Sequence, residues 1–327
     1  MIVPASAENI ERAAVLLRDG QLVSFPTETV YGLGADARNA EAVQRIFVAK
    51  GRPAAHPVIV HLADASALPR WASAVPPGAR ALADKFWPGP LTLILPRTAS
   101  VSGVISGNQD SIGLRVPAHP VARALLARFA ALGGDGVAAP SANRFGRVSA
   151  TTAQHVADDF GEEIALILDG GPCAHGIEST IVSFMGAEPE LLRPGALSID
   201  ALARVLGRAP RPASAAAPRA SGTLAAHYAP RTPARLVARA ELLAALGSIG
   251  SKRGHIAVLA HSLAQPPLFD GTWLDAPDRD HAYAQQLYAN LRMLDAQAAD
   301  EIWIEAPPDG PEWGAVRDRL RRATHRD

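Results

Sequence analysis

Lysine, arginine and two histidines crowd one short stretch of this chain, KGRPAAHPVIVH, which runs from Lys50 to His61. Lys50 offers a point charge, and Arg52 offers a planar fork suited to phosphate oxygens. His56 and His61 add imidazoles. Pro53 and Pro57 stiffen the path into the apolar run Val58, Ile59, Val60. A connector needs only turn residues, so this stretch reads as a place where an anion is held. Cations near a helix end also complement its dipole, and the two accounts are about equal here. His61, at the end of an apolar run, reads more readily as a core residue.

Other polar residues stand at strand ends and turns. In PTETVYGLG, Thr27 and Thr29 offer hydroxyls, and small residues allow close approach to the backbone. By composition this segment is a strand-to-helix turn with satisfied hydroxyls. Arg115 lies inside the apolar SIGLRVP, where a guanidinium is expensive unless paired. Its partner is a ligand carboxylate or a protein acid. In APSANRFG, Ser141 and Asn143 follow a short apolar strand, as site donors do in α/β proteins. An Asx or Ser turn accounts for them equally well. Ser179 and Thr180 open the strand STIVSF, and Arg193 precedes a turn in LRPG.

Several chemistries find no support. There is no Walker A motif, CxxC, HExxH or nucleophile elbow, and no GxGxxG opens a helix. The 10 histidines do not pair with carboxylates at metal-ligand spacing. The single cysteine, Cys173, has no base suggested beside it and rules out a disulfide framework.

These residues sit in an alternating frame. Ser6 to Arg18 carries Ile10, Ala13, Ala14 and Leu17 at helical spacing, with Ser6 as N-cap and Gly20 after the end. QLVSF is a strand that runs into PTETVYGLGAD, a Gly/Thr-rich loop. NAEAVQRIFVAK, PPGARALADKF, HPVARALLARFA and TTAQHVADDF are helices; PVIVHL, LTLILP, SIGLRVP, GVAAP, ALILDGG and STIVSF are strands. Some strands follow one another directly, so the α/β sheet is mixed rather than purely parallel. Composition shifts near Gly207 into a Pro/Ala/Ser/Arg-rich linker without periodicity. Alternation then resumes in a second α/β domain of about ninety residues.

The 327 residues are 48% hydrophobic and 20% charged, which suits a globular protein of two domains. Basic and acidic residues balance at 32 each, which argues against a general nucleic-acid coat. No signal peptide or membrane-length apolar run is seen, so the expected location is cytoplasmic.

The order of these motifs carries more than any one of them. FPTETVYGLGAD, KGRPAAHPVIVHL, FWPGPLTLIL, GLRVPAHP, APSANRFG, ESTIV and LRPGA follow in a series that resembles the YrdC-like threonylcarbamoyl-AMP synthase family in its long two-domain form. The resemblance covers roughly residues 8 to 200, and HYAPRTP with the final α/β region extends it to nearly the whole chain. It implies a twisted mixed sheet around a large concave cleft, plus a smaller Rossmann-like domain. The implied division is 1–207 for the catalytic domain, 208–233 for a linker over the active site, and 234–327 for the C-terminal domain.

The resemblance implies a nucleotidyl transfer that makes L-threonylcarbamoyladenylate and pyrophosphate from L-threonine, bicarbonate and ATP. Mg²⁺ would be held mainly by the ATP phosphates. A tRNA threonylcarbamoyl transferase complex would then use the product to modify the adenosine beside the anticodon; direct contact with tRNA is left open. Carried over by motif, Lys50 and Arg52 face the ATP phosphates and stabilise charge, with no covalent nucleophile. His56, Ser111, Ser141, Asn143, Ser149, Arg193 and, from the linker, Tyr228 line the nucleotide site. Thr29, His61, Arg115 and Ser179 hold threonine, with Arg115 on its carboxylate. His56 stands where the family commonly has asparagine. ASGTLAAHYAP lacks the family's usual Pro-Gly-Met and basic residue, so no role is carried to 221–226. Two alternatives of other classes are an RNA-binding module and a related carbamoyl-transfer enzyme. The first lacks an aromatic stacking motif, and the second lacks the zinc-finger and acyl-phosphatase-like segments of hydrogenase-maturation proteins.

Overall fold

The computed structural model describes residues 1–248 and 255–325. Two compact units result: Met1–Phe145 with Ser149–Thr223, and Gly146–Val148 with Leu224–Asp327. The unit boundary at 223/224 falls inside the expected linker, so its first part belongs with the first unit and HYAP with the second.

The first unit is built on one mixed sheet. Its strands are β1 (Ile2–Pro4), β2 (Val23–Phe25), β3 (Gly32–Asp36), β4 (Ile59–His61), β5 (Leu91–Pro96), β6 (Ser111–Arg115), β7 (Val137–Ala138), β8 (Leu166–Asp169), β9 (Thr180–Ser183), β10 (Glu190–Arg193) and β11 (Arg211–Pro212). They pair in the order β1-β8-β2-β3-β7-β4-β6-β5-β9-β10-β11. β4 and β6 run parallel, with His61 opposite Arg115. β5 runs antiparallel to β6 and parallel to β9.

Alternation along the central strands sorts their side chains onto two faces. Val60, Leu93, Leu95, Ile112, Leu114 and Val182 join the main core. Ile59, Ile94, Ile181 and Leu192 form a smaller apolar floor that Ala217 and Ala220 cover. His61 shares the face of Ile59, and Ser111 and Arg115 share the face of Gly113, opposite Ile59 in the register. The run that looks uniformly apolar in sequence therefore feeds two environments.

Local chemistry explains the helix that delivers Lys50. Asn39 caps Ala40–Lys50 by accepting from the N–H groups of Glu41 and Ala42, and Gly51 ends it in the left-handed region at φ 63°. The helix buries Val43, Ile46 and Phe47, and Lys50 falls on the same buried side.

One sequence expectation is corrected. GLGAD is not loop but the strand β3, antiparallel to both β2 and β7. PTETVY therefore joins two strands rather than a strand and a helix. The glycines serve close packing: a Cβ at Gly34 would meet a Phe25 ring carbon at 2.8 Å and a Val137 methyl at 2.9 Å.

The second unit has β12 (Ala234–Val237), β13 (Ile256–Ala260), β14 (Thr272–Asp275) and β15 (Glu301–Glu305) in the order β12-β15-β13-β14, all parallel. With helices Arg239–Ser248, Asp280–Asp295 and Gly314–Ala323 between and after them, it is the expected Rossmann-like α/β arrangement. No described helix is long and apolar enough to cross a membrane.

Gly34→Val should overpack β3 and lower stability by about 1–3 kcal/mol, read as a reduced Tm. An unchanged Tm would show that Phe25 and Val137 move aside freely.

Candidate active site

The cations of KGRP are turned inward. Lys50 is 3% exposed, and its Nζ donates to the carbonyls of Ser141, at 2.6 Å, and of Asn143. Burial, then the nearby Arg52, pushes its pKa well below the usual lysine value. Phe145 N–H donates to the Lys50 carbonyl at 2.8 Å, so helix end and SANRF loop are tied both ways. Arg52 donates from Nη2 to the Pro57 carbonyl at 2.8 Å and to Ser221 Oγ at 3.3 Å. Its guanidinium carbon sits 5.6 Å from the Phe145 ring centre, and the His56 ring packs on the same phenyl at 5.3 Å. Burial and the Arg52 charge hold His56 below the usual imidazole pKa.

A second cluster surrounds Arg115, which is 4% exposed. Nη2 donates to Glu28 Oε1 at 2.7 Å, Nη1 to Thr29 Oγ1 at 2.9 Å, and Nε to the Gly89 carbonyl at 3.3 Å. Of the two partners open from sequence, the protein acid is the one observed. Burial would raise the Glu28 pKa, but the charge and hydrogen bond of Arg115 prevail and hold it below the usual value. Thr29 Oγ1 also shares a hydrogen bond with Thr27 Oγ1 at 2.8 Å, and Thr27 caps its own turn at Val30. The expected satisfied hydroxyls are present.

Beside Arg115, His61 is buried as a core residue would be, with its ring edge-on to Phe25 at 6.1 Å. Its Nδ1 has no hydrogen-bond partner among the described residues. Burial, then Arg115, lowers its pKa to about 3, so the ring is neutral at pH 7. Cys173 is buried and its thiol is pushed up to about 12, chiefly by burial, so it is inert as a nucleophile.

From Arg52 a hydrogen-bond chain continues through residues 221, 193 and 179. Arg193 donates from Nε to the Ser179 carbonyl at 3.1 Å, from Nη2 to Ser179 Oγ at 3.2 Å, and from Nη1 to the Ser221 carbonyl at 2.8 Å. Ser179 Oγ also meets Thr92 Oγ1 at 2.7 Å. Next along the chain, Glu178 accepts from Ser149 Oγ at 2.5 Å. Ser111 is buried at the opposite end of β6 from Arg115, about 13 Å away by strand rise.

Sequence reasoning missed Glu28, Thr92, Phe145, Glu178 and Ser221. Glu28 and Glu178 each adjoin a predicted residue, and a carboxylate inside TETVYG or GIEST was the available signal. Ser221 had none, because it lies where the family pattern is broken. Tyr228 belongs to the second unit. It is 1% exposed, adopts φ 62°, stacks on Tyr288 at 5.6 Å and lies 5.3 Å from the Arg319 guanidinium carbon. In the same unit, Ala229 N–H donates to the Gly146 carbonyl at 2.9 Å, and Arg292 Nη2 to the Val148 carbonyl at 2.6 Å.

The Sua5/YciO/YrdC family profile, described as "Telomere recombination", matches residues 15–195, over half of the sequence. The chain belongs to this family. The profile described as "Threonylcarbamoyl-AMP synthase, C-terminal domain" matches residues 197–324, which places it with the long two-domain members. A threonylcarbamoyl-AMP synthase from Pyrococcus abyssi is 40% identical over 329 residues, 96% of this chain and 94% of its own. Its Bacillus subtilis counterpart is 37% identical over 326 residues, 96% and 92% of the two chains. The crystal structure of P. abyssi Sua5 complexed with L-threonine matches with a TM-score of 0.91 at 35% identity, covering 99% of this chain and 97% of that one. Within this Sua5-type frame the Arg115 and Lys50 clusters are the candidate active site.

His61 yields a pH prediction. Its folded pKa of about 3 lies below the ordinary 6.5, so the unfolded chain binds the proton more readily between those values. Its contribution is fully present above pH 6.5 and is lost as pH falls toward 3. Between pH 7 and 4.5 the Tm of His61→Gln should therefore fall less steeply than that of the parent. Equal slopes would mean that the folded ring takes up the proton.

Proposed function

We propose that this protein is a threonylcarbamoyl-AMP synthase, a nucleotidyltransferase that makes L-threonylcarbamoyladenylate and pyrophosphate from L-threonine, bicarbonate and ATP. The observation that carries the reading is the near-full-length likeness to the threonine-complexed Sua5 structure, together with a buried arginine held by a hydroxyl and a carboxylate of the β2–β3 turn. Residues 1–207 form the catalytic domain in this reading, 208–233 the linker over the site, and 234–327 the C-terminal domain.

The inventory suits the chemistry. Threonine's amine and bicarbonate condense to a carbamate with loss of water. A carbamate oxygen then attacks the α-phosphorus of ATP, and pyrophosphate leaves. No protein nucleophile enters, so catalysis rests on positioning and charge stabilisation. Lys50 and Arg52 supply the charge. Phosphate beside Lys50 favours its protonated form and offsets the burial that depresses its pKa. His56, Ser111, Ser141, Asn143, Ser149 and Arg193 complete the nucleotide site within the first unit. Arg115 takes the threonine carboxylate, with Thr29, His61 and Ser179 around the rest of the amino acid.

Three donors of Arg115 are engaged in the structure, and both terminal nitrogens retain an N–H for a ligand. Among the described residues no three His, Cys, Asp or Glu gather as a metal cage. The residues present would suit a Mg²⁺ held mainly by the ATP phosphates, with Asp159 and then Glu178 the carboxylates within electrostatic reach of Lys50. When bound, the ion neutralises phosphate charge. The product is a reactive mixed anhydride, suited to hand-off to a tRNA threonylcarbamoyl transferase complex in the cytoplasm.

Purified protein with ATP, bicarbonate and Mg²⁺ should release pyrophosphate only when L-threonine is added. Threonine-independent release, or none, would overturn the reading. Arg115→Ala should raise the threonine KM by about 10- to 100-fold, with the ATP KM within about twofold. Equal shifts in both would remove Arg115 from the threonine subsite.

A further inference from the structure

Glu28 lies in the turn between β2 and β3 and is 6% exposed. Both carboxylate oxygens are engaged. Oε1 accepts from Arg115 at 2.7 Å, and Oε2 accepts from the Ala118 N–H at 3.0 Å. Its backbone is fixed as well, because the Glu28 carbonyl accepts from the His175 N–H at 2.8 Å. Arg115 is held in turn by Glu28, Thr29 and Gly89. Residues from distant parts of the chain thus hold one guanidinium in one orientation.

A purely structural ion pair is an alternative, since buried pairs can often be replaced by apolar residues without loss. A structural pair in a closed core would have its neighbours satisfied. Here both terminal nitrogens of Arg115 keep donors in reserve, and the adjacent His61 Nδ1 has no partner among the described residues. The unmet polar capacity lies on the face that carries Ser111 and Arg115.

The charge balance adds a second argument. A lone buried arginine would attract any carboxylate. With Glu28 at 2.7 Å the pair is neutral before a ligand arrives. A simple carboxylate then leaves one negative charge buried without compensation, whereas a zwitterionic amino acid brings its own cation.

We infer that Glu28 is the positioning and selectivity residue of the amino-acid subsite. It fixes the Arg115 guanidinium for the substrate carboxylate and makes the subsite favour a zwitterion over a simple carboxylate anion. This rests on the threonylcarbamoyl-AMP synthase reading.

The test compares L-threonine as substrate with 2,3-dihydroxybutyrate, its counterpart bearing hydroxyl in place of the amine, as competitive inhibitor. In Glu28→Gln the threonine KM should rise at least about tenfold, with the ATP KM within about twofold. The preference for threonine over the hydroxy acid should fall by at least about tenfold. Glu28→Asp keeps the charge and should keep the preference even as the threonine KM rises. Thr29→Val removes a neutral anchor and should behave likewise. An unchanged preference in Glu28→Gln, or a lost one in Glu28→Asp, overturns the inference. If Glu28→Gln does not fold, the aspartate and valine variants decide it: loss of preference in either overturns it, and retention in both upholds it. Parent protein without threonine-dependent pyrophosphate release would instead overturn the functional reading itself.

Discussion

A guanidinium buried within a sheet has to be paired, and the site's arrangement follows from that requirement. An isolated charge at the position of Arg115 would cost several kcal/mol. The chain meets it with a carboxylate, a hydroxyl and a carbonyl. These partners come from the β2–β3 turn and from the loop before β5. Each is therefore placed by strand pairing and not by local sequence. The result is an oriented cation, balanced by the Glu28 carboxylate and with donors to spare, beside an imidazole kept neutral by the same burial.

The sheet's two faces divide the work. Along the central strands one face carries the main apolar core; the other carries a smaller floor of Ile59, Ile94, Ile181 and Leu192, with a second core around Phe25 and Val137 further along the same face. Residues 217–221 lie over that floor. Ala217 and Ala220 pack on it, and Ser221 accepts from both Arg52 and Arg193. A segment that reads as irregular linker is thus tied to two of the cations assigned to the nucleotide. Its irregularity is consistent with that place, because its hydrogen bonds go to side chains rather than to a ladder.

The HYAP motif illustrates how a local oddity is held. Tyr228 in the left-handed region costs about 1–3 kcal/mol. Nearly complete burial and stacking on Tyr288 offset it. Gly146–Val148 belongs to the same unit as Tyr228, its Gly146 and Val148 carbonyls accepting from Ala229 N–H and Arg292.

The amino-acid sequence by itself determined the local pieces. The Asn39 cap, the Gly51 stop and the apolar runs in PVIVHL and LTLIL are short-range signals, and each of these elements formed where its pattern pointed. The ordered motif series also determined the family. Tertiary structure alone decided what those pieces meet. Glu28 lies 87 positions from Arg115, and Ser221 lies 169 from Arg52. The glycines of GLGAD read as loop until Phe25 and Val137 are seen pressing on β3. Helix signals are written within a few residues, whereas strand register and the partners of buried charges depend on segments that only folding brings together.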